Sequence, residues 1–485
     1  MTKEIRTRFA PSPTGVMHIG NLRSALYEYL VAKNKQGKFI LRIEDTDQQR
    51  YVEGATKIIY DTLRLFKINH DEGPDIGGPY APYIQSERKD NYLPYAKQLI
   101  ASKNAYYCFC SKERIDKLRK EAEENKQQFK YDRHCLRLSE TEINENLKTK
   151  SYVIRQKMPD KGQLLYNDEV FGKLTFENNT LEDQVLIKSD GYPTYNFANV
   201  IDDHLMNITH VVRGSEYLSS TPKYIHLYNA FKWDVPVFVH LPLIVKEGGK
   251  KMSKREGDGV ISKLIDKGYL PEAILNYISL LGWSHGDKEE FFTLEELKKE
   301  FSIKGISKSP SVFDEAKLKW MNGEYIKKMS EDDFHKLAHP RIVKVLGEKY
   351  DTKKIAKILQ RRTVVLLDIE SNIDFFNKVL DYSTDLYNHK KMKCDENVAL
   401  EVLPLVNDVL YKLDDWSHDE IYQAMAALAK KLEYKNGKVM WPMRVALTGK
   451  DVTPGGAIDI ADILGKEITL ERITYAIKKL EKLNG

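Results

Sequence analysis

Two loops in this sequence carry residue types suited to handling phosphate. The first is Pro11-Ser-Pro-Thr-Gly15 followed by His18-Ile-Gly-Asn21. Such a loop delivers the chain to the amino end of a helix, where free N–H groups and the positive end of the dipole attract phosphate. Gly20 lets a base or ribose approach the backbone, and His18 can donate to phosphate oxygens as charge develops. The second loop is Lys251-Met-Ser-Lys-Arg255, set between glycines. Lys251 and Lys254 on such a loop can fold over a triphosphate and neutralise the charge that builds as pyrophosphate leaves. Each loop taken alone also fits a bland account: a proline-rich turn with an incidental histidine, and a lysine-rich surface loop.

Their placement separates the two accounts. Ile5 to Phe9 reads as a short strand. From Asn21, Leu22, Ala25, Leu26, Tyr29 and Leu30 follow helical spacing, with Gly37 as a stop signal. Phe39-Ile-Leu-Arg-Ile43 then reads as a buried strand running into Glu44-Asp-Thr-Asp47. This is a βαβ unit with a functional loop at the carboxyl end of its first strand, the arrangement by which open α/β sheets take nucleotides. Apolar strand signals return at His210–Arg213 and Val235–Val245, and the lysine-rich loop follows directly. Residues 81–190 read as an insertion that splits the sheet, with a charged, solvated helix over Lys112–Lys130. Beyond about residue 290 the signals are helical. Thr293…Glu296, Ser330…Asp333 and Ser417…Glu420 are capping-box candidates, and Ile421, Ala424, Met425, Leu428 and Leu432 form one apolar stripe.

Bulk properties agree with this outline. A chain of 485 residues exceeds one core and predicts three or more packed units. Lys+Arg 76 against Asp+Glu 71 gives +5, which is compatible with RNA without arguing for it. No signal core or membrane-spanning run is present, and four cysteines predict a reducing cytoplasm rather than a disulfide framework.

The two loops resemble the signatures of class I aminoacyl-tRNA synthetases, written HIGH and KMSKS. Asn21 stands where the first ends in histidine, and Arg255 where the second ends in serine. Longer strings are similar to the glutamyl subgroup: Arg8-Phe-Ala-Pro-Ser-Pro-Thr-Gly15, Leu41-Arg-Ile-Glu-Asp-Thr-Asp47, Asp190-Gly-Tyr-Pro-Thr-Tyr195, Val212-Arg-Gly-Ser-Glu216 and Pro442-Met-Arg-Val-Ala-Leu-Thr-Gly449. The resemblance covers essentially the whole chain.

It implies a Rossmann-type parallel-sheet catalytic domain with an insertion, followed by an all-α anticodon-binding region. The expected divisions are 1–80 and 191–250 for the two halves of the catalytic domain, 81–190 for an insertion holding the tRNA acceptor end, 251–325 for the lysine loop and a stem-contact region, and 326–485 for the helical anticodon region. The implied reaction activates L-glutamate with ATP and Mg²⁺ as glutamyl-adenylate, then esterifies the 3′-terminal ribose of glutamate tRNA. The implied site residues are His18, Lys251 and Lys254 for catalysis; Arg8, Ala10, Ser12, Glu44, Tyr195, Asn199 and Arg213 for glutamate; and His18, Gly20, Glu216 and Lys254 for ATP. The types make sense: Glu44 can hold an ammonium, and Arg213 can grip a carboxylate with paired, charge-assisted bonds. As plain structure, Glu44 and Asp47 would cap a turn and Arg213 would pair with Glu216. The family also implies a monomer working in the cytoplasm, with no membrane contact.

Cys108-Phe-Cys110 with Tyr131-Asp-Arg-His-Cys135 resembles a zinc site that some members carry in the insertion. Their final histidine falls at Arg137 here. Cys108, Cys110 and Cys135 are the expected ligands, and His134 is a strained fourth because adjacent residues seldom reach one metal. Water or Tyr131 would otherwise complete the shell. The alternative is three reduced cysteines in a small apolar packing site. The glutaminyl enzymes share the signatures but have a β-barrel anticodon part, which this helical tail does not resemble.

Overall fold

The computed structural model describes residues 3–47, 50–127, 129–250, 252, 259–287, 289–378 and 381–484. Two compact units divide the chain. One comprises Met1–Lys263 and Ile274–Asp314, the other Leu264–Ala273 and Glu315–Gly485.

The first unit is built on strands β1 (Arg6–Phe9), β2 (Lys38–Leu41), β3 (Ala105–Cys108), β4 (Val153–Gln156), β5 (Gln163–Asp168), β6 (Gly172–Glu177), β7 (Val185–Ile187), β8 (His210–Gly214), β9 (Val237–Leu241), β10 (Ile244–Val245) and β11 (Ser311–Val312). β1 pairs in parallel with β2 in the register Arg6↔Lys38 to Phe9↔Leu41, and the helix Ile19–Asn34 makes the crossover. β8 pairs in parallel with β9, and Thr209 beside it donates to the Arg6 carbonyl (3.0 Å), so β8 lies next to β1. All four residues of β1 are buried, as are Phe39, Ile40 and Leu41 of β2, the near-continuous burial expected of parallel strands covered on both faces. β5 and β6 form a hairpin whose β5 meets β9 at Asp168↔Phe238. Within the 81–190 segment, β3, β4 and β7 make a three-stranded antiparallel sheet.

Several boundaries differ from the sequence expectation for physical reasons. The first helix begins at Ile19 rather than Asn21, because His18 caps it: its Nδ1 accepts the Gly20 N–H at 3.2 Å. The expected strand Val235–Val245 breaks into β9 and β10 at Pro242, which lacks an N–H for the ladder. The charged helix runs Lys112–Glu124 and ends at the Asn125 cap, short of Lys130.

The second unit is helical. Ser330 Oγ accepts from the Asp333 N–H (3.1 Å) and Ser417 Oγ from the Glu420 N–H (3.4 Å), so both expected caps start helices. Ile421, Met425 and Leu428 are buried in its core, with Ala424 and Leu432 packed against it.

Candidate active site

The carboxyl ends of β1, β2 and β8 open onto one cavity of about 310 Å³. Arg8, Ala10, Ser12 and Gly15 reach it from β1 and its loop, Glu44 from just beyond β2, Arg213 and Glu216 from β8 and its exit, and Tyr195 from the first turn of the helix Tyr195–Leu205. Gly15 sits at φ +117°, which admits glycine and resists side chains. Seven of the sequence-assigned residues therefore converge: Arg8, Ala10, Ser12, Glu44, Tyr195, Arg213 and Glu216. Asn199 is placed one step back, donating from Nδ2 to the Tyr195 carbonyl at 2.8 Å. His18 and Gly20 do not line the cavity, but their neighbours Met17 and Asn21 do.

The floor is a buried row of alternating charge. Arg8 Nε and Arg42 Nη1 both donate to Asp203 Oδ1, at 2.9 and 2.8 Å, and Arg42 Nη2 donates to Glu44 Oε1 at 2.9 Å. Arg8 also stands 3.6 Å from Glu28 Oε1. Burial pushes Asp203 upward, but Arg8 and Arg42 outweigh it and hold the carboxyl below its ordinary value. In Glu44 and Glu28 burial prevails, and both lie above the usual carboxylate range despite the neighbouring guanidinium groups. Burial likewise pushes the Tyr195 hydroxyl well up, so it is a neutral donor.

Glu216 is not the ion-pair partner of Arg213 among the described residues. Glu44 pairs with Arg42, and Asp47 pairs at the surface with Arg50. Arg213 has no carboxylate within ion-pair distance among the described residues. It donates to Thr221 Oγ1 (2.7 Å) and His240 Nε2 (3.3 Å), with its guanidinium 4.7 Å from the Tyr224 ring centre.

Lys251 and Lys254 lie outside the described residues. The segment that resumes after them is described and returns beside His18. Ile19 N donates to Gly259 O (2.8 Å), Ile261 N donates to Met17 O (3.1 Å), and His18 bridges Val260. A Cβ at Gly259, where φ is +60°, would fall 2.9 Å from Ile19 Cγ1, so the return needs glycine.

Cys108, Cys110 and Cys135 gather within 4.8 Å of one another, the one group of three or more His, Cys, Asp or Glu donors so close among the described residues. The Tyr131 hydroxyl is 3.4 Å from Cys108 Sγ and 3.3 Å from Cys110 Sγ. His134 is not in the group.

A family model described as tRNA synthetases class I (E and Q), catalytic domain, matches residues 4–320. The chain belongs to this family. A second model, an anticodon binding domain, matches residues 333–477. Among relatives of this class I synthetase, the glutamate–tRNA ligase of Clostridium botulinum (strain Eklund 17B) is 57% identical over 483 residues, covering 99% of this chain and all of the relative. That of Clostridium tetani is 57% identical over 479 residues, covering 99% of this chain and 98% of its own. The solved glutamate tRNA ligase of Elizabethkingia meningosepticum, in complex with its amino acid, superposes with a TM-score of 0.89 at 38% identity, covering 99% of this chain and all of that one. The Rossmann-type catalytic half and the helical anticodon region expected of the family are both present.

Sequence reasoning did not reach Glu28, Arg42, Asp203, Asp168 or His240. Glu28 and Arg42 left a signal, a lone charge inside an apolar run. Asp203 left less, because its partners Arg8 and Arg42 are 195 and 161 residues away.

Proposed function

We infer that this synthetase activates L-glutamate with ATP and esterifies the 3′-terminal ribose of glutamate tRNA. The observation that carries the reading is Arg213: a buried guanidinium at the cavity wall with no carboxylate partner among the described residues. A bound side-chain carboxylate would supply that partner. Glu44, already paired with Arg42 yet pushed up in pKa by burial, would gain a second cation in the substrate ammonium. Ala10, Ser12, Tyr195 and Asn199 shape the rest of the amino-acid site, and Arg8 is held in place by Asp203.

In the first step an oxygen of the substrate α-carboxylate attacks the α-phosphorus of ATP. A new P–O bond forms, the bond to the bridging oxygen breaks, and pyrophosphate leaves. The chain supplies position and charge rather than a nucleophile. His18 and the amino end of the first helix receive phosphate, Gly20 and Glu216 adjoin the nucleoside, and Lys251 and Lys254 close on the triphosphate. The backbone bonds of Gly259 and Ile261 to Met17–Ile19 support this by bringing the segment that follows the lysines in sequence beside His18. In the second step the terminal ribose 2′ hydroxyl displaces AMP from the adenylate.

Magnesium would arrive on ATP phosphates with water, since no three carboxylates or imidazoles converge in the cavity among the described residues. It would neutralise phosphate charge. Zinc would be held by Cys108, Cys110 and Cys135 with the Tyr131 hydroxyl as fourth donor, and would fold the insertion. Zn–S bonds of about 2.3 Å set tetrahedral S···S separations near 3.8 Å, against 3.6 Å between Cys110 and Cys135. Metal analysis of untagged protein should give one zinc per chain, lost in Cys110→Ser; a metal-free wild type ends the proposal.

In this reading the 81–190 insertion takes the acceptor end, 251–325 the stem and 326–485 the anticodon, in a cytoplasmic monomer. No helix of the described residues is long and apolar enough to cross a membrane. The test is aminoacylation of purified glutamate and glutamine tRNAs with each amino acid. Glutamyl ester on glutamate tRNA is expected, and its absence with active tRNA overturns the reading.

A further inference from the structure

We propose that Asp168 and His240 are positioning residues that set how Arg213 presents itself to the glutamate side chain, and so contribute to selection of a carboxylate over an amide. The proposal rests on the assignment of Arg213 to that carboxylate.

The geometry begins at Asp168, the last residue of β5. Its Oδ1 accepts the N–H groups of Val170 (3.0 Å) and Phe171 (2.9 Å), and its Oδ2 accepts the His240 N–H (3.2 Å). The same Oδ2 lies 2.6 Å from His240 Nδ1, and both side chains are fully buried. A carboxylate at Nδ1 fixes the imidazole proton there and leaves Nε2 with its lone pair. Burial keeps the ring neutral, as does the Arg213 charge, although Asp168 pulls the other way.

That lone pair accepts from Arg213 Nε at 3.3 Å, while Arg213 Nη2 donates to Thr221 Oγ1 at 2.7 Å. The Thr221 hydroxyl itself donates to the Tyr217 carbonyl (2.9 Å), so it too acts as an acceptor toward Arg213. One edge of the guanidinium, Nε with Nη2, is thus taken by two neutral acceptors. The other edge, Nη1 with the second N–H of Nη2, remains for a group in the cavity, and Nη1 has no hydrogen-bond partner among the described residues. A planar fork so fixed matches a carboxylate with two parallel bonds. Both protein acceptors are uncharged, and Arg213 is linked to the Asp168 carboxylate through the imidazole. A substrate carboxylate therefore satisfies the charge directly. A glutamine side chain offers one oxygen and two donors to a pair of donors.

The mechanism predicts different outcomes for two His240 substitutions. In His240→Gln the amide oxygen occupies the place of Nε2 and accepts from Arg213. In His240→Leu nothing does. With both variants folded by melting temperature, His240→Leu should raise the KM for glutamate about 10- to 100-fold, as expected for a lost charge-assisted bond. It should leave the KM for ATP unchanged and kcat within a few-fold, and narrow the glutamate-over-glutamine preference. His240→Gln should restore most of both. Wild-type glutamate KM in His240→Leu, or equal damage by the two variants, overturns the proposal. Should the leucine variant not fold, Asp168→Asn replaces it. Its amide places N–H groups against either the ring or the Val170 and Phe171 donors, and an unchanged glutamate KM there is again fatal. Arg213→Gln separates the two layers of inference. If that variant leaves the glutamate preference intact, the Arg213 assignment itself fails; if it abolishes the preference while His240→Leu does not touch it, only the positioning proposal fails.

Discussion

Among the described residues, the unit built on the parallel strands buries Arg8, Glu28, Arg42, Glu44, Asp203 and Arg213 around a single cavity. The helical unit buries one charged side chain, Arg472, in a core otherwise made of apolar residues and a few amides and hydroxyls. Taking an ion out of water costs several kcal/mol even after the protein relaxes around it. A fold that does so repeatedly around one cavity can grip a charged ligand there with water excluded. A fold that avoids it needs only its own core, and presents whatever it recognises with on its surface. The comparison locates the amino-acid and ATP chemistry in the first unit, and makes the second unit's interior a matter of stability.

Asp203 offers the strongest way to break this comparison. Asp203→Ala strands Arg8 and Arg42 without their shared acceptor, and should destabilise the protein by roughly 3–5 kcal/mol, read by denaturant unfolding. The acid side of the stability curve should change too. Asp203 has a native pKa below its unfolded value, so its contribution is complete above the unfolded pKa near 3.8. It is lost as pH falls from there through the lower native value. Asp203→Asn should remove that part of the acid dependence. An alanine variant as stable as wild type would mean that the charge row is incidental to the fold.

Arg472 gives the intermediate effect. Its Nη1 donates to the Leu447 carbonyl (2.6 Å) and its Nη2 to the Phe376 carbonyl (3.0 Å), and burial alone lowers its pKa. Arg472→Met leaves the Leu447 carbonyl without this donor, while the Phe376 carbonyl keeps the Tyr350 hydroxyl (3.0 Å), and the loss should cost about 1–3 kcal/mol. The KM for glutamate and for ATP should not move. A changed glutamate KM would contradict the division drawn between the two interiors.

How much of this was readable beforehand follows from where each partner sits along the chain. The cavity loops after β1 and β2 announce themselves because the breakers Pro11–Gly15 end a short strand and Glu44–Asp47 follows directly on an apolar one. The helical caps at Thr293, Ser330 and Ser417 were legible because cap and partner are three residues apart. His240 was not, since a histidine inside Val-Phe-Val-His-Leu-Pro-Leu reads as a core residue until Asp168, 72 residues earlier, is placed beside it. The helix start at Ile19 was missed because histidine is an uncommon cap, and only the 3.2 Å bond to Gly20 N–H reveals it. The Cys108, Cys110 and Cys135 convergence was expected from the resemblance to a family zinc site, whereas the Tyr131 hydroxyl's place between two of those sulfurs depends on tertiary packing.

The smallest effect sharpens the comparison by showing where the two units should not differ. Thr293 in the first unit accepts the Glu296 N–H at 3.2 Å, and Ser330 in the second accepts the Asp333 N–H at 3.1 Å. Both hydroxyls are exposed and serve only their own helix ends, so neither draws on the interior that distinguishes the units. Thr293→Ala and Ser330→Ala should therefore cost a similar amount, about 1 kcal/mol each. The measurement is amide hydrogen exchange at Glu296 and Asp333, the groups that lose their acceptors, with aminoacylation kinetics as the control. Equal, local loss of protection with unchanged kinetics is expected, because capping satisfies a backbone donor at a solvent-facing turn in either setting. A far larger loss at one site would mean that its helix end is coupled to the core beneath it, and the contrast between the units would then extend to their surfaces.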